Sequence, residues 1–346
     1  MKKSIFTLAS LAAFSVAGHA QSSVVLYGTV DAAVRQVKNG SAGSQSQLAS
    51  GSEYTSRFGV RGMEDLGGGL KAGFNLEATL NADTGSVEAN RFFGRRSTVS
   101  LMGDFGEVRL GRDYTPTARN TFDEPFGIVG VGSAGIFSYG SGSNLGSPAT
   151  TVLRTDNSLI YFTPASLGGV YGQLHVSAGE GVVGNKYLGG RLGYKTGPVD
   201  VALAYGKTDT GASTPDFVNY NLMFNYKLGF ATLYTLYDVK TWNPRKTRDL
   251  SIGLAVPVGN GRVNLGYTFA NRSGGPAGSG YANGDDSTRL AIGYVHTLSK
   301  RTALYSTYGR VNNKGAARTS VLYTTPAAMR GGENSSGLEF GIRHNF

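Results

Sequence analysis

Apolar and polar residues alternate along much of the chain, most clearly between Val218 and Leu228. Every second residue of this segment is large and apolar or aromatic, and the residues between them are mostly Asn and Lys. Successive side chains of a β-strand point to opposite faces, so the pattern predicts a strand with one apolar and one polar face. The last ten residues, 337–346, repeat the pattern and end on Phe346.

Sixteen segments of the chain alternate in this way, and each has the length of a strand. The predicted strands cover residues 24–35, 54–63, 70–80, 95–102, 107–113, 154–163, 170–178, 187–195, 199–207, 218–227, 230–240, 248–256, 262–271, 288–297, 301–311 and 337–346. Strands of about 9–11 residues, tilted near 45°, cross the hydrocarbon layer of a membrane.

The connections between these segments alternate between short and long. Seven are short turns, and eight are long. The long ones cover residues 36–53, 81–94, 114–153, 179–186, 208–217, 241–247, 272–287 and 312–336. An antiparallel barrel with both ends of the chain on the short-turn side produces this alternation, and its closure leaves no unpaired backbone in lipid.

A soluble β-sandwich is the alternative fold, since its strands alternate too. It would not place Arg, Lys, Asp and Glu on the enclosed face, nor aromatic residues on the outer face at both ends of the strands. The sequence therefore predicts an all-β protein, a sixteen-stranded antiparallel transmembrane β-barrel with short periplasmic turns and long external loops. Residues 21–346 form it as one domain, with 337–346 pairing against 24–35.

The first twenty residues have the features of a secretory signal. Lys2 and Lys3 precede a mostly apolar run, 5–16, and small residues stand at the positions that a signal peptidase reads, so we expect cleavage after Ala20. A short buried helix is the alternative. After Ala20 no apolar run approaches the roughly 20 residues of a membrane-spanning helix.

Composition narrows the function further. The chain has no Cys, which excludes a disulfide scaffold and a thiolate metal site. Its formal net charge is +10, and without Lys2 and Lys3 it is about +8, from 31 basic and 23 acidic residues. The basic residues are scattered along predicted strands, a distribution that argues against a nucleic-acid partner and leaves an anionic solute or surface.

Two strand-turn-strand junctions carry a family resemblance. The sequence reads S-R-F-G-V-R-G at 56–62 with E-D-L-G at 64–67, and G-D-F-G-E-V-R-L-G-R at 103–112. Together with V-L-Y-G-T-V-D at 25–31 and the terminal Phe346, these motifs resemble the general porins of β-proteobacteria. The resemblance implies an outer-membrane homotrimer among lipid and lipopolysaccharide, a third external loop folded into the lumen, and Phe346 as the signal read by the outer-membrane assembly machinery.

The connection from Tyr114 to Leu153 is several times longer than a usual loop, and such loops are commonly functional or disordered. Its first half, 115–131, mixes proline, aromatic and charged residues that can pack and pair. Its second half, 138–151, is rich in Gly and Ser and is expected to be flexible. We therefore expect the first half to constrict the pore, with a mobile external loop as the alternative.

By motif position, the arginine ladder of the resembled family corresponds here to Arg57, Arg95 and Arg154. Arg57 and Arg154 lie on the lumen side of their predicted strands. Arg95 shares its phase with Val99, which should face lipid, so a bulge at the strand start or an exchange with Arg96 is needed. Guanidinium groups stay charged and are weakly hydrated, so a row of them holds a permanent positive field in a narrow aqueous pore.

Other charged residues surround this predicted ladder. Asp123 and Glu124 are expected to oppose it from the constriction loop, with ordinary solvation as the alternative. Lys71, Arg109 and Arg191 are expected on the lumen face, where they attract anions or simply keep a wide channel polar.

These features predict passive diffusion of small hydrophilic solutes and ions, with a preference for anions. A channel with a defined site for phosphate or an organic acid stays open as the alternative. An enzyme is not expected, because no nucleophile, base and acid occur in a recognisable motif, and no cofactor motif is present. The inward aromatic residues Tyr27, Phe162 and Tyr171 are too scattered to predict a sugar channel.

Overall fold

A computed structural model describes residues 23–346, so the predicted signal sequence and its cleavage site lie outside the described residues. Eighteen strands are present in this range. They are β1 (Ser23–Asn39), β2 (Ser44–Ser50), β3 (Arg57–Gly67), β4 (Leu70–Asn81), β5 (Ser86–Val87), β6 (Arg96–Gly103), β7 (Gly106–Tyr114), β8 (Arg154–Phe162), β9 (Val170–Ser177), β10 (Tyr187–Thr196), β11 (Val199–Thr208), β12 (Phe217–Lys227), β13 (Thr232–Trp242), β14 (Arg245–Val258), β15 (Gly261–Ser273), β16 (Ser287–Thr297), β17 (Thr302–Asn313) and β18 (Ser335–Asn345).

These strands form one closed antiparallel barrel, in which each strand pairs with its neighbours in the chain and β18 pairs with β1. The pairing of β1 with β18 runs from Thr29 opposite Asn345 to Asn39 opposite Ser335. At the short-turn end, Gly28 and Phe346 exchange two backbone hydrogen bonds of 3.1 Å. The predicted closure of the barrel by its first and last strands is confirmed.

The barrel has sixteen strands around its wall, because β2 and β3 are two pieces of one barrel strand and β5 only extends the end of β4. β1 pairs with β2 from Ala32 to Lys38 and with β3 from Ser23 to Thr29. The two-residue β5 pairs with the last residues of β4. The predicted sixteen-stranded fold is confirmed.

Two of the predicted long connections were wrong. Residues 36–53 are mostly strand, since β1 continues to Asn39, a 3₁₀ turn covers Gly40–Ala42, and β2 follows. The connection between β13 and β14 is only Asn243 and Pro244 rather than 241–247. In both places the strands extend beyond the apolar outer belt, where their outward residues are polar and the alternation disappears.

The outer face of the barrel is apolar. Outward-facing Val24, Val34 and Leu174 are 65–69% exposed, and large apolar side chains are exposed in the same way on strands around the wall. Exposed apolar surface of this extent is unstable in water and stable in lipid. The inward face carries the buried polar residues instead, including fully buried Asp31, Lys240 and Arg289.

Two short helices interrupt the connection between β7 and β8: α1 (Pro116–Asn120) and α2 (Gly135–Tyr139). No helix within residues 23–346 is long and apolar enough to cross a membrane.

Candidate functional site

The connection 115–153, called the constriction loop below, folds into the lumen at its first residues. The Thr115 hydroxyl caps α1 by accepting the backbone N–H of Ala118 at 3.3 Å, and Pro116 occupies the first helical turn. Asn120, at the end of α1, donates to the Ala202 carbonyl at 3.2 Å and to Asn221 Oδ1 at 2.9 Å on the opposite strands. The loop therefore crosses the lumen as soon as it leaves β7.

A track of glycines on five consecutive strands receives the rest of the loop's first half. Each has an inward position where a side chain would collide with the loop. The pairs are Gly253 with Pro125, Gly266 and Gly293 with Phe126, and Gly309 and Gly337 with Val131. Because glycine has no Cβ, loop side chains at four of these positions, and the loop backbone at Gly309, can lie directly on the barrel wall.

The second half of the loop is also anchored to the barrel, contrary to the expected flexibility of 138–151, although more of its residues are exposed than in the first half. Leu145 is fully buried, its carbonyl accepts Arg245 Nη1 at 2.7 Å, and Ser141 N donates to the Tyr323 carbonyl at 2.8 Å. Small residues here allow close approach to strands and to the last external loop, so their abundance marks packing rather than mobility.

The three ladder arginines lie together on the wall opposite the glycine track. Arg95 Nε is 2.7 Å from Glu77, and Arg57 Nε is 3.7 Å from the same carboxylate. Arg154 Nη2 donates to the Tyr114 hydroxyl at 2.6 Å, and Arg95 Nη2 donates to it at 3.0 Å. Three guanidinium groups thus share one carboxylate and one phenol.

Arg95 and Arg96 both place their side chains inside the barrel. β6 begins at Arg96, so Arg95 precedes the regular alternation and reaches Glu77 and Tyr114 from the loop before the strand. Arg96 has the inward phase of β6, and its Nε lies 3.2 Å from Asp113.

Asp113 is a buried carboxylate that the sequence analysis did not single out. It pairs with three guanidinium groups: Arg96 at 3.2 Å, Arg119 of the constriction loop at 3.0 Å, and Arg109, which also lies 2.7 Å from Glu107. A buried carboxylate is stable only when its oxygens are paired, and here the pairing joins the wall to the loop. Asp113 has the same inward phase on β7 as Glu107 and Arg109, so the alternation already places it in the lumen, but its contact with Arg119 depends on the fold of the loop.

The remaining predicted basic residues differ in their surroundings. Arg191 donates to Asn120 of α1 at 2.6 Å and stacks over the Tyr171 ring at 4.7 Å, so it contacts the constriction loop. Lys71 is exposed near the short-turn end of β4, away from the ladder.

The two loop acids also differ from one another. Asp123 is exposed to the lumen. Glu124 turns back into its own loop, where it accepts Ser133 Oγ and Ala134 N, each at 2.8 Å, and lies 3.9 Å from Arg289 Nη2. Burial raises the pKa of Glu124 to about 7, against the opposing effect of Arg289 and these hydrogen bonds. Of the two loop acids, only Asp123 is exposed, and its charged neighbours are Arg191, Lys195 and Asp200 of β10 and β11.

The lumen thus has two unlike walls. The ladder wall is the lumen side of β3, β4, β6, β7 and β8, and the loop wall is the lumen side of β1 and β13–β18, where the constriction loop packs. The ladder wall holds six guanidinium groups and three carboxylates: Arg57, Arg61, Arg95, Arg96, Arg109, Arg154, Glu77, Glu107 and Asp113. Its net charge is therefore positive.

Cations and carboxylates balance on the loop wall. Arg35 pairs with Glu339 at 2.9 Å, Arg289 faces Glu124, and Lys240 pairs with two aspartates and donates to the Phe137 carbonyl of the loop at 3.3 Å. The five cations Arg35, Lys240, Arg262, Arg289 and Arg343 contact the five acids Glu53, Glu124, Asp238, Asp249 and Glu339. These pairs fix the loop and contribute little net field.

Within residues 23–346, no group of three or more metal-ligating side chains is present. His175 is fully buried on the inward side of β9, where its ring lies 2.7 Å from Thr155 Oγ1 and 3.2 Å from Gln173 Nε2. A membrane barrel with an inward loop and a charged constriction defines the class of β-barrel channels.

Comparison with known proteins gives the family. A family model described as Gram-negative porin matches residues 7–316, and the chain belongs to this family. It is 37% identical to outer membrane porin protein 32 of Delftia acidovorans over the full length of both chains.

Solved structures agree with this assignment. The chain is similar to an anion-selective porin from Comamonas acidovorans, with 33% identity, a TM-score of 0.81, and coverage of 94% of this chain and 100% of that one. A trimer form of OmpT from Vibrio cholerae shares the fold, with a TM-score of 0.67, 16% identity, and coverage of 94% of this chain and 99% of that one.

Proposed function

We propose that this chain forms a water-filled channel through the outer membrane, through which small hydrophilic solutes and ions diffuse passively with a preference for anions. The observation that carries the proposal is the excess of guanidinium groups over carboxylates on the ladder wall, opposite the constriction loop. The similarity to an anion-selective porin at 33% identity supports the same direction of selectivity.

The preference follows from the position of the charges. Two unit charges 4 Å apart interact by about 1 kcal/mol in bulk water and by about 4 kcal/mol at an effective dielectric constant near 20. A solute anion is therefore attracted mainly where the loop narrows the pore. Arg57, Arg95 and Arg154 are the residues that we propose for this role, with Asp123 supplying the opposing charge.

Aromatic rings hold several of these guanidinium groups without neutralising them. Arg154 stacks over Tyr114 at 4.2 Å, and Arg61 lies over Tyr27 at 5.3 Å, and among the described residues no salt bridge holds either of them. A cation-π contact restricts the side chain but leaves its charge and its outer N–H groups available to an anion. The ladder thus keeps a fixed geometry with a net positive charge.

A channel with a defined anion site is the second candidate function. The ladder wall borders a cavity of about 370 Å³, and Arg61, Arg96 and Arg109 are among its lining residues. This volume lies in the range of small-molecule sites. Phosphate or a small organic acid has the charge and size to occupy it.

We also propose a homotrimer in outer-membrane lipid and lipopolysaccharide, reached after cleavage behind Ala20. The apolar outer face of the barrel supports the membrane environment. Phe346 is proposed as the signal that the assembly machinery reads, and its pairing with Gly28 at the seam is compatible with recognition before closure.

Single-channel recording of the purified protein tests the main proposal. Under a salt gradient in planar bilayers, the reversal potential should indicate anion preference in chloride, phosphate and an organic acid. Current that saturates with one anion would favour the second candidate, whereas a reversal potential that indicates cation preference would contradict both.

A further inference from the structure

The barrel strand made of β2 and β3 is broken by a turn that enters the lumen. Opposite Ala32 the wall ends at Ser50, and opposite Thr29 it resumes at Arg57, so residues 51–56 are inserted beside only two residues of β1. Gly51 begins the insertion with φ of +72°, a conformation that favours glycine. The insertion is larger than an ordinary β-bulge and forms a folded turn, called the inward turn here.

A buried carboxylate on β1 fixes the shape of the inward turn. Asp31 accepts the backbone N–H groups of Ser52 at 3.1 Å, Glu53 at 3.0 Å and Tyr54 at 2.7 Å, and it also accepts the hydroxyl of Tyr305. Charge-assisted bonds of this kind are strong and directional. Asp31 therefore specifies one conformation of the inward turn, and that conformation determines where Glu53 points.

Glu53 lies between two arginines of the loop wall. Arg262 Nη2 of β15 is 3.0 Å from Glu53 Oε1, and Arg343 Nη1 of β18 is 3.1 Å from Oε2. Glu53 is only 5% exposed, while Arg343 stacks over the ring of exposed Tyr54 at 4.6 Å. One carboxylate from the opposite side of the seam thus pairs with two guanidinium groups and lowers their combined charge from +2 to +1.

The inward turn also supports the constriction loop. A side chain at Gly127 would meet the Glu53 carbonyl, and one at Gly130 would meet that of Ser52. The loop and the inward turn are therefore in backbone contact, and Glu53 lies beside the constriction.

We propose that Glu53 is a selectivity-determining residue, which masks Arg262 and Arg343 and confines the positive field to the ladder wall. Without it, an anion would pass between two basic walls and be held more strongly, whereas conduction needs binding that is weak enough to release the ion. This inference rests on the anion-selective channel proposed above. Beyond that function, the inference is that an acid beside the loop wall, Glu53, determines how strongly the channel prefers anions.

The test is Glu53→Gln, which keeps the shape of the side chain and removes its charge. The anion-to-cation permeability ratio, from reversal potentials in a KCl gradient, should rise by about threefold to tenfold, since two guanidinium groups become unpaired. The rise should be largest at low ionic strength, where screening is weakest. Glu180→Gln, in the exposed loop between β9 and β10, removes the same charge outside the lumen and should leave the ratio unchanged.

Removal of all three charges separates masking from a purely structural role. The cluster carries +1 in the wild type, +2 in Glu53→Gln and zero when Arg262→Gln and Arg343→Gln are added, so the triple variant should bring the ratio down to that of the wild type or slightly below it. An unchanged ratio in folded Glu53→Gln, or a raised ratio that persists in the triple variant, would overturn the inference.

A second variant covers the case in which Glu53→Gln does not fold. Arg262→Gln with Arg343→Gln in the wild-type background leaves Glu53 charged and unpaired, so the ratio should fall, and an unchanged ratio would again overturn the inference. Wild-type protein without anion preference would instead refute the proposed function, so the two failures are distinguishable.

Discussion

The two walls of the lumen use the same residue types in opposite ways. On the ladder wall, four of the six guanidinium groups share the three carboxylates, Arg154 is held by a backbone carbonyl and a phenol, and Arg61 lies over the Tyr27 ring. On the loop wall, five cations contact five acids. The number of arginines on a wall therefore does not indicate the electric field in the pore. An arginine paired with an acid stabilises the protein, whereas an unpaired arginine attracts a solute anion.

The walls also differ in packing. The ladder wall borders a cavity of about 370 Å³, whereas the space beside Glu124 and Arg289 on the loop wall is about 20 Å³, close to the volume needed for one water molecule. The glycine track lets the constriction loop fill that side. The ladder wall therefore borders the open part of the pore, whereas the loop wall is covered by the constriction loop.

Charge reversal on the ladder wall should have the largest effect. Arg57→Glu together with Arg154→Glu replaces two positive charges at the constriction by negative ones. The permeability ratio should shift toward cations by at least about tenfold, given interaction energies of about 1–4 kcal/mol per charge at contact. Reversal potentials in a KCl gradient measure the shift.

The matched control for this pair is Arg57→Lys with Arg154→Lys. It keeps both charges while it removes the flat guanidinium that stacks on Tyr114. Anion preference should persist in the lysine variant. Equal ratios in the glutamate and lysine variants would place the selectivity elsewhere in the channel.

A change in the glycine track should alter pore size without altering selectivity. In Gly309→Ala the new Cβ would overlap the Val131 carbonyl, so the loop must move off the wall toward the pore. We expect lower single-channel conductance, a loss of about 1–3 kcal/mol in stability from overpacking, and an unchanged permeability ratio. Thermal unfolding and single-channel recording measure these quantities.

Gly190→Ala provides the control for the loss of a strand glycine, since its nearest neighbour would lie at 3.4 Å, an ordinary contact. It should leave conductance unchanged. If Gly309→Ala behaved in the same way, the close packing of the loop on β17 would be refuted.

The smallest expected effect is a pH dependence from the loop wall. Because burial raises the pKa of Glu124 to about 7, this carboxyl group is mostly ionised at pH 8 and mostly protonated at pH 6. Acidification removes one negative charge from the loop wall, so anion preference should increase. Glu124 is buried away from the solute path, and the change should stay within about twofold, or about 0.4 kcal/mol.

Glu124→Gln should abolish this pH dependence and fix the ratio near its low-pH value. An equal pH dependence in the variant would assign the titration to another group.

Much of the fold was predictable because the barrel imposes a period of two on residues that face lipid. The sixteen strands and the closure of β18 on β1 follow from that alternation. The prediction failed for 36–53 and 241–247, where the strands rise above the apolar belt and either face can be polar. Without contact to lipid, these parts of the strands have no alternating pattern by which the sequence could identify them.

The site was predictable only in part. The positions of Arg57 and Arg154 came from family resemblance, and their proposed roles remain to be tested. Asp113 shares the inward phase of Arg109 but was missed, because its importance comes from the contact with Arg119 of the constriction loop, which the alternation does not show. Glu53 was missed because it lies in a turn inserted within a strand. The glycine track is visible in the sequence as glycines of inward phase on five successive strands. This pattern can be interpreted only if a loop is already assumed to fold into the lumen.

The seam between β1 and β18 has a consequence for the order of events in barrel formation. It joins residues far apart in the chain, such as Thr29 and Asn345, whose side chains hydrogen-bond at 3.0 Å across 316 positions. Contacts of such long range form late and require most of the chain to be ordered first. Until the last strand arrives, β1 keeps an open edge that other chains can join. A working pore therefore requires that the unpaired edge of β1 be protected from other chains until β18 pairs with it.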